Sequence, residues 1–460
     1  MNTKPSSLIG RISFGEKIGY SLGDAASNLY WKTFEFYLMI FYTDVFGISA
    51  AAIGTMLLVT RLADAVADPI MGSIADRTIT RWGHFRPYLI WFAVPLAVAG
   101  VLTFSTPHLS GGGKVIYAYI TYSLLMFLYT AVNIPYTALM GVMTSNSLER
   151  TAISSIRFIG AFTAGIFVQY LTPSFVRLFG HGNDVLGWQM TMVLYGVLAV
   201  AMLILCFATT RERVAPPPQQ KSDLSGDLKA LVGSRSWQVL IGVLLLVLAA
   251  FAIKGSDSAY YFKYFVQNEK LLPPFLVSNG LAFVAAVSVA SYLAKIFGKK
   301  ALFMFAIGAG GLVIGGFWMV GPADIAAIFA LQIVSSFIIG FNSPLVFAMF
   351  ADVADEAEWR AGRRNTGLVF ASAIFSTKAG WAIGAWMFGL LLSYFGYIPN
   401  VAQTARSLFG IILATSWVPC LLLLAAAALM QLYPLTEAQM VKIEGDLELR
   451  RAKASETPTS

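Results

Sequence analysis

Long apolar runs recur along nearly the whole chain and constrain its fold more than any other feature. A helix needs about 20 residues to cross a hydrocarbon core roughly 30 Å thick. Only 12% of the residues are charged, about half the usual share of soluble chains. We therefore predict an all-α membrane protein with twelve transmembrane helices. The runs lie near residues 18–43, 50–75, 87–106, 115–143, 152–172, 186–210, 237–264, 273–294, 301–320, 323–350, 366–394 and 405–433.

One long polar break, residues 211–236 with three consecutive prolines at 216–218, divides the spans into six and six. Two six-helix halves joined by a polar linker are typical of the major facilitator fold, in which substrate binds at mid-membrane between the halves. The predicted divisions are 1–210, 211–236, 237–434 and a tail at 435–460, where a charged, amphipathic pattern predicts a short helix.

Lys and Arg are distributed unevenly between the connecting segments. With the amino terminus inside, the inside segments carry 22 of them and the outside loops three. The positive-inside rule then places both termini in the cytoplasm of a multi-pass protein of the cell (inner) membrane. The net charge of +8 is scattered among loops, so it does not indicate a nucleic-acid partner. The sequence indicates no obligate protein partner.

Several ionisable residues fall inside the predicted spans, where each costs at least about 2.5 to 3.5 kcal/mol. Such residues need a partner, water or a function. Five cations and five anions make up this set, so their sum is neutral. They are Lys32, Arg61, Arg157, Lys254, Lys378, Asp24, Glu35, Asp64, Asp68 and Asp257.

Asp64 and Asp68 lie one helical turn apart on the same face of span two. Two bare carboxylates would repel each other there, and a bound cation or a shared proton relieves the repulsion. Carboxylate oxygens suit sodium as a ligand set, and a protonated acid suits proton transport. The alternative is an ion-pair network with Arg61 and Lys378 that only holds helices together.

Span one carries a second polar face. Asp24 and Glu35 are eleven residues apart, close to three full turns, with Asn28 near that face and Lys32 beside it. A carboxylate accepts hydrogen bonds from sugar hydroxyls, and an aromatic ring such as Trp31 stacks on the apolar face of a sugar. The alternative is a polar contact between helices.

At these residues the chain resembles the glycoside-pentoside-hexuronide cation symporter family, whose best-known type is the melibiose permease. The resemblance extends over essentially all twelve spans. The matching segments are 17–24 (KIGYSLGD), 41–47 (FYTDVFG), 61–72 (RLADAVADPIMG), 76–87 (DRTITRWGHFRP), 351–355 (ADVAD) with 358–359 (EW), and 378–380 (KAG).

The resemblance implies roles for individual residues. Asp64 and Asp68, with Thr130 from span four, would form the coupling-cation site, for sodium or a proton. Asp24 and Arg157 would bind the sugar. Lys378 would couple the two sites, and the basic loop at 76–86 would form part of a cytoplasmic gate.

Two departures from the family pattern bear on specificity. Ala67 stands where melibiose permease-like members carry an Asn, which removes a neutral oxygen ligand and favours proton over sodium coupling. Asn133 in span four replaces an Asp, which removes an acceptor for galactoside hydroxyls. Melibiose itself is therefore not the expected substrate.

Lys32 and Lys254 are extra cations at membrane depth. One interpretation places them in the substrate site with Asn28, Trp31 and Asn133, where they would pair with an anionic sugar such as a uronide or a sulfonated hexose. The other is local pairing, Lys32 with Glu35 and Lys254 with Asp257, each at i, i+3.

The sequence therefore predicts a secondary transporter that couples uptake of a sugar or glycoside to proton or sodium symport by alternating access, with no cofactor. The alternative is a cation-independent facilitator or exporter of a non-sugar organic solute. An enzyme is disfavoured because the three histidines lie far apart in predicted loops. Cys206 and Cys420 fall inside apolar spans and are interpreted as packing residues.

Overall fold

The structure is a computed structural model that describes residues 12–144, 146–214, 231–361 and 366–456. These residues are almost entirely helical, with an isolated bridge between Thr80 and Gly83. We number the helices α1 (Phe14–Ile40), α2 (Ala50–Arg77), α3 (Arg86–Trp91), α4 (Ala93–Thr103), α5 (Gly111–Met143), α6 (Ser147–Gly180), α7 (Asp184–Thr209), α8 (Arg235–Tyr260), α9 (Leu272–Phe297), α10 (Lys299–Gly315), α11 (Ile325–Gly340), α12 (Asn342–Ala361), α13 (Thr366–Tyr394), α14 (Ala405–Thr415), α15 (Trp417–Gln431) and α16 (Glu437–Glu456).

Each of the twelve predicted spans is helical. Within the described residues, ten helices are long and apolar enough to cross a membrane, and Ala93–Thr103 is a shorter apolar helix. The span near residues 87–106 is divided at Phe92 into α3 and α4, so neither part is long enough alone. Helix α1 has 27 residues but carries the charged residues of span one, which are Asp24, Lys32 and Glu35. The all-α prediction is confirmed.

The chain forms two compact units, Met1–Gln219 with Tyr397–Ala402, and Gln220–Gly396 with Gln403–Ser460. Most of the predicted linker, residues 215–230, lies outside the described residues. In both units the first long helix continues into a π turn, at Phe41–Phe46 after α1 and at Tyr261–Phe265 after α8. This shared ending is a structural sign of repetition that the sequence alone does not reveal.

In the first unit, α6 and α7 form an antiparallel hairpin that approaches α1 closely. A Cβ atom built on Gly187 of α7 would lie 2.2 Å from the backbone oxygen of Val176 on α6. Real Cβ atoms do not come so near a backbone oxygen, so only glycine permits this spacing. The short distance between α6 and α7 in turn positions the residues of α6 that face α1.

We predict that Gly187→Ala lowers the melting temperature of the purified protein by roughly 2–10 °C, because overpacking costs about 1–3 kcal/mol. Gly141→Ala in α5 is the matched control, since nothing lies within 4 Å of its added Cβ atom. That variant should melt at or slightly above the wild-type temperature, because alanine is the better helix former. Equal melting temperatures for the two variants would show that α6 and α7 separate without cost.

The basic loop between α2 and α3 is held by one carboxylate. Glu212, just after α7, accepts hydrogen bonds from the backbone N–H groups of His84, Phe85 and Arg86 at 2.8, 2.8 and 3.0 Å. Gly83 has φ +111° and leaves room for this carboxylate, which a Cβ atom would meet at 2.4 Å. The loop is thus fixed to the end of α7 within the first unit.

In the second unit, α8 is central and packs against α13, α14 and α15. The predicted tail helix is confirmed as α16, which buries Met440, Ile443 and Leu447 against this unit. Its polar contacts include a bond from the backbone N–H of Lys299 to Glu437 at 2.8 Å and one from Trp359 Nε1 to Asp446 at 2.9 Å.

Candidate functional site

The acidic pair of α2 meets a hydroxyl group of α5. Thr130 Oγ1 donates a short hydrogen bond to Asp64 Oδ1 and lies 3.4 Å from Asp68 Oδ1. Asp64 is only 5% exposed and Thr130 only 2%. A single hydroxyl therefore holds two carboxylates near one point, inside a helix pair that water reaches poorly. This is the concentration of negative charge that a monovalent cation or a proton would neutralise.

The backbone around the pair is also unusual. Pro69 follows Asp68 directly inside α2 and has no N–H to donate to the carbonyl of Ala65. Ala67 supplies only a methyl group beside the pair. Asp64, Asp68 and Thr130 each offer side-chain oxygens at this point.

A second charged pair joins α1 to α6. Arg157 Nε donates to Asp24 Oδ2 at 3.1 Å, and both side chains are mostly buried, with exposures of 21% and 14%. The amide of Asn28 donates to the backbone carbonyl of Asp24 at 2.9 Å. Asp24 has a second carboxylate oxygen, Oδ1, and acceptors of this kind bind sugar hydroxyls.

Two tyrosines near Asp24 join α1 to α5 by ring stacking and hydrogen bonds. The rings of Tyr20 and Tyr136 stack with centroids 4.6 Å apart. Each hydroxyl donates to the backbone carbonyl of the other residue, at 3.1 Å and 2.8 Å. Gly23 allows this, because a Cβ atom there would lie 2.3 Å from the ring of Tyr136. These contacts fix the position of Asp24 along the axis of α1 relative to α5.

Aromatic residues connect the two charged pairs. The guanidinium of Arg61 lies 4.3 Å from the ring centroid of Trp31, whose ring is 6.3 Å from that of Tyr129 on α5. The phenol of Tyr129 is within electrostatic range of Asp24 and of Asp64. Sequence reasoning missed Tyr129 and Tyr136, because a tyrosine in an apolar span has no signal that separates it from a packing residue.

Lys32 forms the local pair that its spacing allows. Its ammonium nitrogen is 2.6 Å from Glu35 Oε2 and 5.6 Å from the ring centroid of Phe36. The two paired side chains are 27% and 10% exposed. Lys32 thus already has a counter-charge within its own helix.

The remaining candidates divide between the units. Asn133 lies half-buried on α5, one turn after Thr130, and belongs to the first unit. Lys378 lies half-buried on α13 of the second unit. Lys254 also belongs to the second unit, where its ammonium lies 3.9 Å from the ring centroid of Phe317.

An acidic pair and an Asp–Arg pair inside the apolar spans of a two-unit helical protein are features expected of a multi-pass secondary transporter. The model of the MFS/sugar transport protein family matches residues 19–437. The chain therefore belongs to this family.

Curated relatives extend over the whole chain. The isoprimeverose transporter of Lactiplantibacillus pentosus is 36% identical over 460 residues, 98% of this chain and 95% of the relative. The glucuronide carrier protein homolog of Escherichia coli strain K12 is 32% identical over 446 residues, 96% of this chain and 97% of the relative. Among solved structures, a D-xylose-proton symporter is similar in fold, with a TM-score of 0.62, 16% identity and coverage of 90% of this chain and 95% of the other.

Proposed function

We propose that the protein couples uptake of a neutral glycoside to a monovalent cation, with a proton as the preferred ion. Asp64, Asp68 and Thr130 bind the cation, and Asp24 with Arg157 binds the sugar. The observation that carries the proposal is the convergence of two carboxylates on the single hydroxyl of Thr130.

The charges of the first unit support a single cation. Its intramembrane set has four carboxylates and three basic groups, so one negative charge is in excess. The members are Asp24, Glu35, Asp64, Asp68, Lys32, Arg61 and Arg157. One proton or one sodium ion neutralises this excess, and a neutral set of intramembrane groups avoids the cost of burying a net charge during the conformational change. By its resemblance to the symporter family, Lys378 of the second unit would respond to whether that cation is bound.

A neutral sugar fits the pairing of Lys32 with Glu35 at 2.6 Å. An anionic substrate would have to separate this pair before Lys32 could bind it. Of the relatives, one is named for isoprimeverose and another for glucuronide, so both classes of sugar occur among them. Half-buried Trp31 and Asn28 complete the proposed sugar face on α1, and Asn133 extends it on α5.

A proton suits this cation site better than sodium does. Sodium needs several oxygen ligands at once, and Ala67 contributes none from its side chain. A proton needs only one carboxylate, with Thr130 bonded to the other. With both termini in the cytoplasm, as the positive-inside rule predicts, an inward cation gradient would supply the energy for uptake.

Thermal melting of the purified protein tests the substrate class. Neutral glycosides and pentosides, glucuronides and sulfonated sugars are compared at pH 5.5 and 8, each with and without sodium. A ligand of the native state raises the melting temperature by mass action. We expect stabilisation by neutral glycosides at both pH values without sodium, and the same response from Lys32→Met.

The opposite pattern identifies an anionic-sugar carrier. In that case only acidic sugars raise the melting temperature, and Lys32→Met abolishes the effect. Stabilisation that requires sodium would instead assign the cation site to sodium. Wild-type transport that responds to neither a proton gradient nor a sodium gradient would favour a cation-independent facilitator.

A further inference from the structure

A second group of ionisable residues lies deep in the second unit. Asp257 on α8 is fully buried, and one of its carboxylate oxygens accepts a short hydrogen bond from Thr415, the last residue of α14. Lys254, one turn earlier on α8, extends its ammonium over the ring of Phe317 with the nitrogen 3.9 Å from the ring centroid. These residues play no part in the proposed sugar or cation sites.

Three buried polar atoms here lack a hydrogen-bond partner among the described residues. They are Lys254 Nζ, the second oxygen (Oδ1) of Asp257, and the hydroxyl of Tyr261. Lys254 and Tyr261 both contact Phe317, and Tyr261 is within electrostatic range of Asp257. Buried polar atoms are nearly always bonded to protein or to an ordered water. Two donors and one acceptor that follow one another at i, i+3 and i+7 along one side of the helix are a suitable set of partners for an enclosed water.

Both helices that carry the group are irregular beside it. Helix α8 changes to a π turn at Tyr261. The helical geometry is interrupted between α14 and α15 at Ser416, which has φ −117° and ψ −87°. Local π turns occur often at functional sites, because they leave backbone groups outside the regular ladder. The polar cluster therefore lies where two neighbouring helices depart from regular geometry.

We propose that Lys254, Asp257, Tyr261 and Thr415 form a second proton-binding site, separate from the site at Asp64 and Asp68. At low pH the site holds two protons, one on the Lys254 ammonium and one on the Asp257 carboxyl group, because neither group has a bonded counter-charge in the described part of the chain. As the pH rises the ammonium loses its proton, which leaves a neutral amine near a neutral carboxylic acid. An enclosed water carries the proton away to solvent. The site exchanges this proton in the folded protein between pH 5 and 9.

Other charged groups on the surrounding helices lie at different levels along the helix axes from Lys254 and Asp257. On α13, Gly380 faces Leu245 and Leu248, so Lys378 is about 14 Å along the helix axis from Lys254. On α14, Arg406 is nine residues from Thr415, about 13 Å.

The acidic residues of α12 are farther away still. Glu356 bonds to Ser236 at the start of α8, about 27 Å from Lys254. Asp352 on the same helix pairs with Lys299, and Arg360 pairs with Glu356. The remaining α12 carboxylates are Asp355 and Glu358, and Lys263 follows Tyr261 in the π turn. Among the described residues, Lys254 and Asp257 interact electrostatically with each other, and Asp257 also acts on Tyr261.

The test measures melting temperature from pH 5 to 9 for the wild type, Lys254→Met, Asp257→Asn and the double variant. Solvated aspartate loses its proton at about pH 4 and solvated lysine keeps its proton to a pH of about 10, so the unfolded chain holds one proton at these two residues throughout this range. The folded site holds two protons at low pH and one at high pH. We therefore expect the wild-type melting temperature to fall with rising pH relative to the uncharged double variant in the lower part of the range, and to run parallel to it in the upper part.

The single variants should slope in opposite directions. Lys254→Met leaves a carboxyl group that is buried only as the neutral acid, so its melting temperature falls as pH rises. Asp257→Asn leaves an amine that is buried only in its neutral form, so its melting temperature rises with pH. Each slope reaches up to about 3–5 °C per pH unit.

Lys32 and Glu35 are the matched control, because they have the same i, i+3 spacing but are ion-paired and partly exposed. Lys32→Met and Glu35→Gln should show much shallower slopes. If the double variant and the wild type have parallel profiles across the whole range, the site exchanges no proton and the proposal is wrong. The double variant decides this even if a single variant does not fold.

Discussion

Asp64→Asn will reduce cation-driven accumulation of sugar by at least about 100-fold. The substitution keeps the side-chain volume and an oxygen for Thr130, so the packing of α2 on α5 is retained. It removes one of the two charges that attract the cation at a site where only 5% of Asp64 is exposed. Loss of a buried charge partner costs roughly 3–5 kcal/mol, which corresponds to two or more powers of ten in cation affinity.

The measurement compares two modes of transport in membrane vesicles. Accumulation against a gradient needs the cation, whereas exchange of labelled for unlabelled sugar at equal concentrations needs only the sugar site and the conformational change. We expect Asp64→Asn to lose accumulation and to keep exchange. Accumulation by Thr130→Ser should be almost that of the wild type, because the hydroxyl group is kept. Accumulation by Thr130→Ala should fall between the wild type and Asp64→Asn, because the hydroxyl lies against both carboxylates. Equal loss of both modes would show that Asp64 serves folding rather than coupling.

The fold was largely predictable because lipid imposes a simple rule on the sequence. Apolar runs of sufficient length gave all twelve helical spans. The breaks at Phe92 and Ser416 were missed, although Pro95 and Pro419 each follow three residues later and lack the N–H group that a continuous helix needs. Pro69 and Pro135 lie inside unbroken helices, so a proline alone does not decide whether a span divides.

The candidate site was predictable only in part. Spacing placed Asp64 and Asp68 on one face, but it gave no reason to choose Thr130 on α5, which entered through the family resemblance. Lys32 and Lys254 have the same spacing to an acid, yet Lys32 is bonded to Glu35 and the ammonium of Lys254 lies over Phe317. Three-dimensional surroundings, namely the aromatic residues at the end of α10, separate the two cases.

Asp24→Asn will weaken sugar binding on the order of 100-fold while the protein remains folded. A hydrogen bond from a sugar hydroxyl to a carboxylate contributes about 1.5–3 kcal/mol, and an amide oxygen replaces only part of it. Asparagine can also present its N–H group at the position where the sugar hydroxyl needs a hydrogen-bond acceptor. The readout is the sugar concentration that produces half of the maximal shift in melting temperature.

A double substitution of Asp24 and Arg157 separates two possible roles of Asp24, because these side chains are hydrogen-bonded to each other at 3.1 Å. If this pair only joins α1 to α6, neutralising both residues in Asp24→Asn with Arg157→Gln should restore stability and sugar binding together. If Asp24 accepts a sugar hydroxyl, the double variant should regain stability and still fail to bind. We expect the second result. Neutralising both residues removes the uncompensated buried charge that destabilises the fold. It does not restore the charged acceptor that binds the sugar hydroxyl. Recovery of binding in the double variant would remove Asp24 from the sugar site.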